Sequence, residues 1–180
     1  MSAREAEYLL VDGYNIIHAW DNLRDIVEAS SLEDARDKLL QILANYQGSR
    51  GYTHGTVIVV FDAHKVKGGT GSVQTYAGLS VIYTAEAETA DHYIERAAAE
   101  YARRRYIVTV ATSDNLEQVI IMGKGAYRLS ARELFEDVTA AEKDVRKQID
   151  TRRPVKNNQL LEHLDENVLE WFETMRRKSK

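Results

Sequence analysis

Tyr8-Leu9-Leu10-Val11-Asp12-Gly13 and Thr56-Val57-Ile58-Val59-Val60-Phe61-Asp62 decide the fold. Each is a short apolar run closed by an aspartate, and the second is rich in β-branched residues. Such runs are too short for a buried helix and suit strands covered on both faces. Working outward, Leu79 to Tyr83 reads as a third strand, Tyr106 to Ala111 as a fourth, and Tyr127 to Leu129 as a short fifth. Helical patterns lie between them. Ser31-Leu-Glu-Asp34 has the spacing of a capping box and opens a helix with Leu32, Ala35, Leu39, Leu40, Ile42, Leu43 and Tyr46 on its apolar side. Gly48 and Gly51 end it. Thr89 caps a helix over about 90–105. A helix over about 116–122 stops at Gly123 and Gly125. Ser130-Ala-Arg-Glu133 opens another that reaches about Ile149. This alternation predicts an α/β fold with helices on both faces of a mostly parallel sheet.

The predicted domain covers residues 1–150. Residues 151–180 read as a polar linker holding Pro154, an amphipathic helix over about 159–175 and a basic tail, packed on the same domain. Residues 63–72 have the composition of a loop.

The chain has no cysteine, which excludes disulfides, thiolate metal sites and a cysteine nucleophile. No apolar run approaches the roughly 20 residues of a membrane span, and Met1 to Asn15 contains no apolar signal core. The expectation is a cytoplasmic protein. The net charge of −4 argues mildly against a strong grip on nucleic acid. That charge is uneven: residues 1–48 carry −5, 49–82 carry +2, 83–140 carry −3 and 141–180 carry +2. An acidic total therefore leaves room for a basic track.

Three aspartates follow strands: Asp12 the first, Asp62 the second and Asp114 the fourth. In an open parallel sheet the carboxyl ends of the strands share one edge, where sites are built. Neighbouring strands lie about 4.8 Å apart, so their terminal carboxylates can converge. Asp91, in the first turn of the helix capped by Thr89, can join them. A lone aspartate after a strand is commonly just a helix cap, and Asp91 could be an ordinary first-turn acid. Gathered together, such groups repel one another unless a cation binds. Hard oxygen donors suit Mg²⁺ or Mn²⁺, and the chemistry such ions support is phosphodiester hydrolysis. Asn15 can position a ligand or a carboxylate. His64 and His92 lie near these motifs without a recognisable partner.

Leu10-Val-Asp12-Gly-Tyr-Asn15-Ile-Ile, Val-Val-Phe-Asp62-Ala-His, Glu88-Thr-Ala-Asp91 and Ala-Thr-Ser-Asp114 together resemble the NYN domain, a branch of the PIN-like ribonuclease superfamily. Val66-Lys-Gly68, Gly123-Lys-Gly-Ala126 and Ser130-Ala-Arg-Glu-Leu134 are similar to its YacP-like group. The resemblance spans about residues 8–175. It implies a PIN-like three-layer α/β/α sandwich with a central, mostly parallel sheet. It also implies a divalent-metal-dependent, ribosome-associated endoribonuclease that cleaves mRNA. On this resemblance Asp12, Asp91 and Asp114 are the metal ligands for Mg²⁺ or Mn²⁺. Asn15 and Asp62 support them, Asp62 as a further candidate ligand. Lys65, Lys67 and Tyr14 are candidate RNA contacts, with Arg128 a further one.

Three other readings exist. A haloacid-dehalogenase-type phosphatase needs a second aspartate two residues after Asp12, where this chain has Tyr14. A phosphate-binding loop at Gly68-Gly-Thr-Gly-Ser72 lacks the Gly-Lys-Ser/Thr ending. The remaining alternative is a non-catalytic RNA- or ribosome-binding module on the same fold, against which the intact acid set argues.

Overall fold

The computed structural model describes residues 6–49, 55–62 and 71–152. The chain divides into a unit over Met1–Val145 and another over Arg146–Lys180. The sheet and the site belong to the first. The basic pair Lys65 and Lys67, His64, Pro154 and the helix expected over 159–175 lie outside the described residues.

Six strands form one sheet: β1 (Glu7–Asp12), β2 (Gly55–Phe61), β3 (Val73–Tyr76), β4 (Leu79–Tyr83), β5 (Ile107–Thr112) and β6 (Tyr127–Ser130). Their order is β3-β4-β2-β1-β5-β6. All neighbours run parallel except β3 and β4, which pair antiparallel across Ala77-Gly78. Both turn residues have positive φ, 45° and 90°, and glycine meets the second at no steric cost. Six helices complete the described residues: α1 (Gly13–Ala19), α2 (Asp21–Ala29), α3 (Leu32–Gly48), α4 (Ala90–Arg103), α5 (Asn115–Gly123) and α6 (Ala131–Arg152).

The central strands alternate between two cores, which explains their unbroken apolar sequence. On one face Leu9, Val11, Val57, Val59, Phe61, Val81 and Tyr83 pack with α1, α2, α3 and the first turns of α6. On the other face Leu10, Ile58, Val60, Ile82, Val108 and Val110 pack with Ala90, Ile94 and Ala98 of α4 and Ile121 of α5. The result is the expected three-layer α/β/α arrangement.

The capping signals act as read. Ser31 Oγ accepts from the Asp34 amide at 3.0 Å. The hydroxyl of Ser130 accepts from the Glu133 amide at 3.2 Å, and Glu133 returns a bond to the Ser130 amide at 2.8 Å. No helix among the described residues is long and apolar enough to cross a membrane.

Candidate metal centre

Asp12 ends β1 and caps α1: its Oδ1 accepts from the Asn15 amide at 3.1 Å. Cap and candidate ligand are thus one residue, not rival readings. The helix begins at once because Gly13 has no side chain. A Cβ there would stand 2.2 Å from Phe61 Cε1. Asp91 lies in the first turn of α4, exposed, behind the Thr89 cap, whose hydroxyl accepts from the His92 amide at 3.3 Å. Asp114 follows β5 and caps α5, its Oδ1 accepting from the amides of Leu116 at 2.7 Å and Glu117 at 3.3 Å.

The capped turn of α5 directs Glu117 inward, where it is 4% exposed. One carboxylate oxygen each from Asp12, Asp91 and Glu117 lie within 4.8 Å of one another. Neither carboxyl oxygen of Glu117 completes a hydrogen bond. Burial pushes this carboxyl up to about 7. The nearby Thr112 hydroxyl opposes the shift, while the charges of Asp12, Asp91 and Asp114 add to it. A buried carboxyl so weakly supported must take a proton or meet a cation. The donor set is all carboxylate oxygen, which fits a hard dication. A pocket of about 250 Å³ opens beside the cluster, lined by Asp12, Tyr14, Asn15, His18, Asp62, Thr89 and Asp91 among others.

The structure brings Asp12 and Asp91 together and adds Glu117. Asp114 stands one turn from Glu117 and engages α5 backbone amides, outside that trio. Asp62 lines the pocket. Asn15 joins two strand ends: its Oδ1 accepts from the Ser113 amide at 2.7 Å and from the Ser113 hydroxyl. That holds the β1–α1 turn against the β5–α5 loop. Tyr14 is 4% exposed, its ring edge-on to Phe61 at 5.0 Å. It is placed as a wall of the pocket rather than an open stacking surface for a base. Arg128 lies on β6, its Nη1 donating to Gln118 Oε1 at 3.2 Å.

Sequence reasoning missed Glu117, although a signal existed. Asp114-Asn-Leu-Glu117 has the spacing of the boxes at Ser31 and Ser130. In the Ser130 box the acid folds back onto the cap residue. At Asp114 it cannot: the cap is itself an acid, and the Asp114 amide already donates to Thr112 Oγ1 at 3.1 Å. Glu117 therefore turns inward, toward Asp12 and Asp91.

Acidic side chains are thus gathered at the carboxyl ends of a parallel sheet. The chain belongs to the YacP-like NYN domain family, which it matches over residues 9–177. It is 45% identical over 174 residues to the uncharacterized protein YacP of Bacillus subtilis (strain 168), covering 95% of this chain and 97% of the relative. The crystal structure of Rae1 (YacP) from Bacillus subtilis superposes with a TM-score of 0.68 at 45% identity, over 94% of each chain. That of its W164L mutant gives 0.65 at 43%, over 83% of this chain and 86% of the other.

Proposed function

We propose that this protein is a divalent-metal-dependent endoribonuclease that hydrolyses mRNA in association with the ribosome, in the cytoplasm. The observation that carries the reading is the trio Asp12, Asp91 and Glu117, with the Glu117 oxygens buried and unbonded. These residues would hold Mg²⁺ or Mn²⁺, with Asp114 and Asp62 beside them. Such an ion supplies an activated water and neutralises charge on the phosphate. The chain's own residues do the rest. The Asp12 cap and the Asn15 bridge fix the β1–α1 turn. Asp114 fixes the turn of α5 that presents Glu117. Lys65 and Lys67 would grip phosphates. Products would carry 5′-phosphate and 3′-hydroxyl ends. The net charge of −4 favours weak capture of free RNA, so the ribosome would supply affinity.

The test incubates purified protein with naked mRNA and with translating ribosomes, with and without EDTA, beside Asp91→Asn. Asp91 is exposed, so the variant should fold. EDTA should abolish cleavage, and Asp91→Asn should lower it by at least about a hundredfold, as losing a charge-stabilising group does. Full cleavage by the folded variant, or in EDTA, contradicts the reading.

A further inference from the structure

A second and larger cavity lies beside the acid cluster, and the mechanism does not use it. It measures about 630 Å³, within the range of roughly 300–1,000 Å³ that holds small-molecule-sized ligands. Trp20 and Phe135 form its apolar wall, their rings edge-to-face at 5.2 Å. Trp20 is fixed, because its indole N–H donates to the Ala131 carbonyl at 2.8 Å. Phe135 is 43% exposed, an open aromatic face on a braced ring. Polar groups surround this wall. Asn115 follows Asp114 directly in sequence, and its side chain has no hydrogen-bond partner among the described residues. Arg128 gives Nη1 to Gln118 and, at 3.5 Å, to Glu133, and Arg132 gives Nε to Glu136; their other guanidinium nitrogens make no hydrogen bond among the described residues. Among the described residues Asp21 is the one acid in the lining, and it pairs with Arg24 at 2.5 Å.

We infer that this groove is a nucleotide subsite that takes one unstacked nucleotide of single-stranded RNA. The base lies on Phe135, the Asn115 amide meets a base edge, and the guanidinium groups of Arg128 and Arg132 face a flanking phosphate. Aromatic faces, amide side chains and planar guanidinium forks are the chemistry that recognises an unpaired ribonucleotide. The groove also has a fixed place relative to the cluster. Ser113, one of its lining residues, is tied to Asn15 of the acid pocket. An RNA strand seated here would therefore continue past the carboxylates. The inference rests on the endoribonuclease reading for its ligand class, but its test does not depend on cleavage.

Binding of a fluorescein-labelled single-stranded oligoribonucleotide to the full chain is measured by anisotropy in EDTA, so that no cleavage occurs. Phe135→Leu and Asn115→Ala are compared with wild type, each checked by its melting temperature. Phe135→Leu is expected to weaken binding at least fivefold and Asn115→Ala twofold to fivefold. A 4-thiouridine-bearing oligonucleotide should cross-link within 128–135. Unchanged binding by both folded variants, or cross-links confined to other peptides (as when another segment fills the groove), overturns the subsite. Cleavage by Asp91→Asn reports on the acid cluster alone, so the two ideas fail separately.

Discussion

Replacing Glu117 with glutamine is expected to raise the melting temperature of the metal-free protein by roughly 5 °C at pH 8 while removing its response to Mn²⁺. The carboxyl titrates near 7 in the folded chain against 4.5 as its ordinary value. The folded state therefore holds the proton more tightly than the unfolded one. The stability this group contributes is fully present below about pH 4.5 and is lost as pH rises through 7. The gap corresponds to on the order of 3 kcal/mol. Glutamine keeps the size and removes the ionisation, though its buried amide gives back part of the gain. Melts in EDTA at pH 5, 6, 7 and 8 should show wild type losing stability across the series and the variant staying nearly level. Mn²⁺ should stabilise wild type most at the alkaline end, since the ion binds only the ionised carboxylate. A variant less stable than wild type at pH 8 would show that the folded chain supports the Glu117 charge, against this reading.

Gly13→Ala should be the most destabilising single-methyl change near the site. The added Cβ meets three atoms of the Phe61 ring at 2.2, 2.6 and 2.7 Å. That ring cannot swing aside. It is fully buried, stacked on Tyr83 with centroids 5.8 Å apart and met edge-on by Tyr14. Overpacking of this kind costs about 3 kcal/mol, or roughly 10 °C in a domain of this size. Backbone relief would displace Asp12, so cleavage should fall as well. Thermal denaturation measures the first effect. The double variant Gly13→Ala with Phe61→Leu should recover part of the loss, because a shorter side chain opens the space. An alanine variant as stable as wild type would contradict the packing described here.

These two residues also mark the limits of what the sequence revealed. The runs at Tyr8 and Thr56 are legible because strands covered on both faces must be apolar throughout. The helix starts at Ser31, Thr89 and Ser130 are legible because capping is local chemistry. Helices α1 and α2 carry no such clear signal. The first spans only seven residues, too few to display a period, and the second buries only Leu23. Strand β3 was equally silent, since all four of its side chains are exposed and carry no alternation. At the site, Asp12 and Asp91 follow from the rule that strand ends and nearby helix starts converge. Glu117 does not follow from it. It sits three residues inside a helix, where an acid is ordinary, and only the blocked capping box at Asp114 turns it inward. The groove at Trp20 and Phe135 joins α1–α2 to α6, more than a hundred residues apart, and no local pattern announces it.

Asp12, Asp91 and Glu117 are proposed to hold one hard dication jointly. Anomalous diffraction at the manganese edge from crystals grown with Mn²⁺ at pH 8 tests it most directly. The expected result is a peak within about 2.3 Å of an oxygen from each of the three carboxylates. A peak bound elsewhere, or a Glu117 carboxyl left protonated and empty while Mn²⁺ occupies other ligands, would contradict the account.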